Sequence, residues 1–460
     1  MKTHTKNLLL LSALIASLSL ITVNRGSAQD ITILHIFDYD NDGAFPLGGL
    51  ILSGDTLYGT ASDGGYWEAG TMFKLNTDGT GFTNVLNFGS ENNSSNGVAP
   101  KSGLILSGDT LYGTASQLIF EFGGSVFAVN TNGGDFTALH VFNPGFSTHE
   151  GGDPEAELIL SDNTLYGTTL FGGLGYGTVF AVNTNGTEFT NLHVFTATNG
   201  EGSFPGRLFL SGNTLFGATG SGGGSGNGTL FKVNTDGSGF TNLHSFGASS
   251  TNALGIYTNS DGTDPDTGFL SGNTLFGTTG SGGASGNGAL FKINTDGLGF
   301  TNLHSFGANR EGTRPGGRLA LSGVMLYGTT AGTAFAVHTD GSDFTILHNF
   351  TASEGNPHGL ILSGFNFYGT TMYGGVGYGT MFRLSLSPQL SILRSESNVV
   401  LSWPTNVAGF DYAGFALQST TNLISPVIWT TNFSVPALVN GQYVVTNIIA
   451  GSQQFYRLSQ

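Results

Sequence analysis

The chain has no cysteine and little charge. None of its 460 residues is Cys. Disulfides, Cys-ligated zinc, iron–sulfur clusters and thiol nucleophiles are therefore excluded, and packing alone must hold the fold. Charged residues make up only 10%, and they are unbalanced: 14 Lys+Arg against 30 Asp+Glu give a formal charge of −16. Residues 1–28 hold Lys2, Lys6 and Arg25 and no acid, so the remainder carries −16 − 3 = −19. Such an acidic body argues against nucleic acid or anionic lipid as a partner. Long apolar runs are scarce too. Leu8 to Val23 is 16 residues, short of the ~20 that a spanning helix needs, and no other segment comes as near. Reaction signatures are missing. There is no Gly-x-Ser-x-Gly and no His-Glu-x-x-His. The Gly cluster at Gly222 to Gly228 precedes a strand rather than a helix and lacks the Lys of a phosphate loop. No cofactor is expected.

The first 28 residues read as a secretory signal. Lys2 and Lys6 form a basic start, Leu8 to Val23 the apolar run, and Gly26-Ser27-Ala28 a small-residue cleavage site before Gln29. The mature chain is expected to be secreted, extracellular or at the cell surface.

What the chain does have is glycine and repetition. Gly accounts for 75 of 460 residues, about twice the usual ~7% share, and its Leu, Phe and Tyr recur in register. The unit is Leu50-Ile51-Leu52, a Ser53-Gly54-Asp55 turn, Thr56 to Thr60, a Gly-rich loop, Thr71 to Asn76, a Thr77-Asp78-Gly79 turn, and Phe82 to Phe88. Its second-run aromatic recurs at Tyr58, Tyr112, Tyr166, Phe216, Phe276, Tyr327 and Tyr368, seven copies 41 to 60 residues apart. That period points to a propeller or solenoid. The four runs are too short for helices, rich in Thr, Val, Phe and Tyr, and joined by turns that favour positive φ. Four-stranded antiparallel blades are expected. A Gly follows the aromatic in all seven copies, from Gly59 to Gly369, as though no Cβ fits there.

A second recurrence, acid-Gly-x-x-Pro, precedes the first run, for example Glu150-Gly151 to Pro154 and Asp261-Gly262 to Pro265. It reads as an interblade turn, with Pro fixing φ. The seventh copy stops after Thr380 to Leu384 with no fourth run, while Ile31 to Phe37 is a fourth run with no copy before it. The fold expected is therefore all-β: a seven-bladed β-propeller over residues 29–386, closed by its N-terminal strand. Residues 387–460 carry Trp403, Trp429 and alternating short strands, and read as a small fibronectin-III-like β-sandwich.

Over residues 31–386, and best at Tyr166 to Phe195, the unit Leu-Tyr-Gly-Thr-Thr, Gly-Gly-x-Gly-Tyr-Gly-Thr-x-Phe-x-Val-Asn-Thr-Asn-Gly, Phe-Thr-x-Leu-His-x-Phe resembles the bacterial tandem-repeat family called GloVer. The resemblance implies an extracellular protein and carries no biochemical activity with it. Many members of that family end in a sorting anchor with an apolar helix and a basic tail. Tyr456 to Gln460 depart from that pattern, which puts surface anchoring in doubt. The terminal module resembles C-terminal modules of other large secreted bacterial proteins.

Six of the ten His share one repeat position: His35, His140, His193, His244, His304 and His348. One per blade on the outermost strand, they stand too far apart for a metal and read as structural. Asp38 to Gly43 opens like a calcium loop, but its twelfth position is Gly49 where a bidentate Glu belongs. Glu68, Glu121 and Asp153 are carboxylates that one face could bring together. Otherwise the unrepeated charges Glu68, Glu121, Glu155, Arg207, Arg314 and Arg318 read as scattered, which disfavours an enzyme. The loops between second and third runs differ sharply. Copies seven, one, two and three carry Tyr373, Tyr378, Tyr66, Trp67, Phe120, Phe122, Phe171 and Tyr176, whereas copies four to six look bare. Tyr66, Trp67, Tyr176 and Tyr378 are the candidate binding arc, because flat exposed rings stack on sugars. Three readings of function stay open: a non-catalytic binder of a polysaccharide or cell-surface partner, a structural or matrix protein, and a propeller polysaccharide lyase or glycosidase.

Overall fold

A computed structural model describes residues 30–460 except 90–96, 119–120, 143–149, 197, 199, 308–309, 396, 432 and 449–452. The signal reading and Phe120 lie outside the described residues. Among those described, Asp30–Leu384 and Ser385–Gln460 form two compact units. Both are built of strands and turns, and no helix is long and apolar enough to cross a membrane.

In the larger unit the described residues form seven four-stranded sheets resembling propeller blades. The first is Ile51–Ser53, Thr56–Ala61, Thr71–Asn76 and Thr83–Asn87, paired antiparallel in that order. The next five follow the same order. The seventh takes Asn356–Ser363, Asn366–Met372 and Thr380–Ser385 from the end of the repeat and Asp30–Ile36 from its beginning.

One cross-strand pair recurs in each sheet. Gly59 of the second strand faces Phe73 of the third. A Cβ on Gly59 would stand 2.6 Å from the tip of the Phe73 ring and 2.8 Å from Leu50. The equivalent Gly in the other six sheets would meet its Phe within 2.7 Å. The ring tip occupies the space of the missing side chain, and the ring is wholly buried at Phe73, Phe127, Phe180, Phe231, Phe291, Phe335 and Phe382.

Each of these rings also receives the edge of a Phe that ends the outer strand of the preceding sheet. The pairs are Phe88–Phe127, Phe142–Phe180, Phe195–Phe231, Phe246–Phe291, Phe306–Phe335 and Phe350–Phe382, with centroids 5.0 to 5.5 Å apart. A seventh pair, Phe37–Phe73 at 5.0 Å, joins the seventh sheet to the first. Edge-to-face rings add about 0.5–1.5 kcal/mol beyond their burial.

The repeated His sit beside these rings. Each places Nε2 against the acid of the following acid-Gly turn: His35–Asp42 2.9 Å, His140–Glu150 4.0 Å, His193–Glu201 3.7 Å, His244–Asp261 3.3 Å, His304–Glu311 3.1 Å and His348–Glu354 3.2 Å. Five of them stack on a Phe of the next sheet at 3.6 to 3.9 Å. Burial pulls His35, His140, His193 and His244 below the ordinary imidazole range, against the raising effect of the partner acid. The two repeated motifs are thus one contact. Copy one supports this, because Leu86 replaces the His and Asn96 replaces the acid together.

The smaller unit holds a four-stranded sheet of Ser391–Ser395, Asn398–Pro404, Gln442–Ile448 and Ala437–Val439, with two further strand pairs. Trp403 is buried in it.

Two changes test this packing. Gly277→Ala drives a methyl into Phe291 and is expected to destabilise by about 1–3 kcal/mol, with Phe291→Leu in the same chain recovering part of the loss in a denaturant titration. Deleting residues 30–37 leaves the edge of Thr380–Ser385 unpaired. A sharp fall in unfolding midpoint, or aggregation, is expected by calorimetry and light scattering.

Candidate functional site

Two kinds of segment build one face of the larger unit: the loops between second and third strands, and the entry segments that lead from one sheet into the inner strand of the next. They are tied together. The residue before each entry-segment Pro donates its N–H to a carbonyl of the preceding sheet's loop: Phe45 to Tyr378, Ala99 to Ala69, Asp153 to Gly123, Phe204 to Tyr176, Asp264 to Asn227 and Arg314 to Asn287, at 2.6 to 3.2 Å. All six donors have φ between 52° and 60°. A non-Gly residue held there costs on the order of 1–3 kcal/mol, and proline normally pushes its predecessor to extended backbone. The loop also ends in a Gly packed on that Pro. A Cβ on Gly70, Gly124, Gly177, Gly228, Gly288 or Gly379 would stand 2.5 to 2.7 Å from the Pro ring. The seventh entry segment, at Asn356-Pro357, lacks the strained residue. The sixth sheet's loop is only Ala331-Gly332 and offers little for it to bond.

This latch fixes the backbone and leaves the side chains after the Pro free to vary. In the first copy they are Leu47, Gly48 and Gly49; elsewhere they include Lys101, Glu155, Glu157, Arg207, Asp266, Arg318 and His358. All of these except Gly48 line one cavity of about 380 Å³ with contributions from every entry segment. Three of the six charges expected to be scattered, Glu155, Arg207 and Arg318, therefore line one cavity where the entry segments converge. The repeat period hid this, because each charge occurs once in its own copy. Reading the column after each Pro would have found them.

The ion pairs form one isolated pair and one chain of four residues. Lys101 Nζ pairs with Glu155. Arg207 stands between Glu157 at 3.6 Å and Asp266 at 3.7 Å, and Arg318 reaches the other oxygen of Glu157 at 3.3 Å. Glu157, Arg207 and Arg318 also line a second cavity of about 320 Å³ along the inner strands. Burial dominates the local titration. It raises Asp153 to about 6, helped by Glu155 and opposed by Lys101. It raises Asp264 beside Asp266, and Asp266 itself against Arg207. It lowers His358, with Arg207 adding to the effect.

The aromatic candidates stand on loops that the entry segments bond. Tyr66 is 76% exposed, and Trp67, Tyr176 and Tyr378 are 37–38% exposed. Tyr66 and Trp67 meet edge to face at 4.8 Å. Tyr378 instead contacts Tyr39 at 5.3 Å, and Tyr176 stands on the third loop. The four are thus distributed over three loops rather than stacked in one cluster. Trp67 lines a cleft of about 480 Å³ with Phe45, Asp63, Glu68, Lys101 and Gln117. Lys101 belongs to both this cleft and the 380 Å³ cavity.

One expectation needs correction. The second loop is not a loop like its neighbours: strands Thr110–Leu118 and Glu121–Asn130 extend into a long hairpin there. The loops of copies four and five carry only small and polar residues, as read from the sequence, but an apolar side chain reaches the fifth loop from the segment between the fourth and fifth sheets. The stretch between them forms a small hairpin, Ser250–Thr251 with Tyr257–Thr258, whose Leu254 and Tyr257 are largely exposed and whose Ile256 lies against Gly286 of the fifth loop. The calcium-like stretch is committed elsewhere. Asp42 accepts from His35 and from the Asp38 N–H, and Asp38 accepts from Asp40 and Asn41. Among the described residues no group of three His, Asp or Glu is placed to hold a metal.

A model of the Gloeobacter/Verrucomicrobia repeat matches residues 20–173, 143–263 and 249–405. No curated protein matches the chain. Among solved structures, the extracellular domain of a putative one-component system from B. thetaiotaomicron aligns with TM-score 0.52 at 12% identity, over 83% of this chain and 46% of that one. An oligogalacturonate lyase in complex with manganese aligns with TM-score 0.51 at 11% identity, over 78% of this chain and 93% of that one. At such identity the likeness is one of fold.

The raised acid gives a signed prediction. Asp153 contributes stability below its ordinary value of 3.8 and loses it as pH rises through about 6. Asp153→Asn removes that loss. Its unfolding free energy relative to the parent should improve by roughly 2–3 kcal/mol between pH 4 and pH 8, measured by denaturant titration at both pH values.

Proposed function

The chain belongs to the Gloeobacter/Verrucomicrobia repeat family, and we propose that it is an exported, closed seven-bladed β-propeller that binds a polysaccharide on its loop face. Closure is supported by the Phe37–Phe73 pair and by Gly379 packed on Pro46, which repeat at the seam the contacts made between the other sheets. Residues 1–28 direct export, and residues 387–460 are a small β-sandwich around Trp403.

One observation carries the binding reading: Trp67 and Tyr66 stand exposed on a Gly-rich loop beside a 480 Å³ cleft lined by Asp63, Glu68, Lys101 and Gln117. A flat ring next to convergent hydrogen-bonding groups matches a sugar, which offers an apolar face and a hydroxyl edge. The cleft volume lies in the range of small-molecule sites, roughly 300–1,000 Å³.

A second reading, a polysaccharide lyase or glycosidase, is favoured by the carboxyls of Asp153, Asp264 and Asp266 held above their ordinary range near the cavity. Screening the purified protein against neutral and acidic polysaccharides, with binding and cleavage scored separately, tells the two apart. Trp67→Ala with Tyr378→Ala is expected to abolish binding and to move the unfolding midpoint by only a few degrees. Persistent binding, or an unfolded variant, removes these rings as the site. Absence of binding to every polysaccharide favours the matrix role.

A further inference from the structure

The Trp67 cleft and the 380 Å³ cavity share Lys101 in their lining, and the charges of the cavity are not arranged for stability alone. Arg207 and Arg318 share one carboxylate, Glu157, whose side chain is 8% exposed. Arg207 is held at ion-pair distance from Glu157 and Asp266, yet its Nε and Nη1 are buried with no hydrogen-bond partner. A guanidinium carries five donors in a planar fork. Buried charges left without hydrogen bonds are costly, and the first entry segment shows that the fold accepts Leu47-Gly48-Gly49 in the same place. Asp266 approaches Arg207 only to 3.7 Å, with its side chain 36% exposed. The cationic influence reaches His358, whose imidazole Arg207 helps to keep uncharged. Arg318 thus shares its carboxylate partner with Arg207 and makes no other ion pair among the described residues. With 38% of its side chain exposed, Arg318 presents the rest of its fork to the cavity.

Resting on the polysaccharide reading, we infer that this cavity takes the carboxylate of an acidic sugar unit. Arg318 binds it through its fork, Arg207 supplies charge behind it, and adjoining units run past Lys101 onto Trp67. Forked Arg–carboxylate pairing gives both strength and orientation. The cavity is near the lower end of small-molecule sites, so it receives one unit at the end of a short chain. The protein's own excess of acid repels a densely charged polymer at longer range, which favours the same choice.

The probes are a three-unit oligouronate and its methyl ester, which have the same backbone and differ in charge. By titration calorimetry the acid is expected to bind at least tenfold more tightly than the ester. In Arg318→Ala that ratio should fall toward one. Should Arg318→Ala fail to fold, Arg318→Lys carries the test: it keeps the charge and loses the fork, so the ratio should drop at least threefold. Equal binding of acid and ester by the parent overturns the inference and leaves polysaccharide binding standing. A tenfold ratio that survives in Arg318→Ala, or in Arg318→Lys where Ala does not fold, also overturns it. If neither probe nor any other polysaccharide binds, the polysaccharide reading falls, and this inference falls with it.

Discussion

The larger unit depends on a phenylalanine lying over a glycine. In each sheet the second strand gives up a side chain so that the tip of the third-strand Phe can take its place. Gly inside a strand is unfavourable by about 0.5–1 kcal/mol, and the buried ring offsets this with roughly 1.5–3 kcal/mol of apolar transfer. The same ring packs edge to face with the Phe that ends the outer strand of the preceding sheet. One local sacrifice thus sets both the thickness of a sheet and the way sheets pack. A chain with neither cysteine nor abundant charge has few other means of holding itself.

The histidines extend the same seam toward solvent. An imidazole can stack on the neighbouring Phe with its face and bond the turn acid with its edge, which Leu86 in the first copy can only half imitate. Stacking excludes water and lowers the His pKa, while the acid opposes that shift. The acid in turn orders the turn by accepting backbone N–H groups, as Glu311 does from Gly307 and Glu354 from Thr351. The result is a polar clasp at six of the sheet boundaries, where a purely apolar contact would end.

Scaffold and site are separated at the entry-segment proline. Before it, hydrogen bonds to the neighbouring loop hold an unusual backbone in six places. After it, side chains differ from copy to copy. Strain of this kind persists only where the surroundings over-determine it. Here the Gly–Pro packing and the loop carbonyl do so together. A repeat array can in this way keep one backbone and still assemble Lys101, Glu155, Glu157, Arg207, Asp266 and Arg318 from five different copies.

The sequence by itself determined the strands, their order and their turns, because alternation, Gly–Asp turns and a fixed period are local properties of the chain. It also paired Ile31 to Phe37 with the last copy, since a missing run at one end matched a surplus run at the other. The Gly after each aromatic could be read as a place where no Cβ fits, though the Phe that fills the space was not evident. What the tertiary structure decided were contacts between copies. The His and the acid were each legible as repeats, but their bond crosses from an outer strand to the next turn. The aromatic residues could be assigned to loops, yet only the folded loops show Tyr66 against Trp67 and Tyr378 against Tyr39. The charged cavity was hidden for the same reason. Each of its residues is unique along the chain, and it is the convergence of the entry segments that brings them within ion-pair distance.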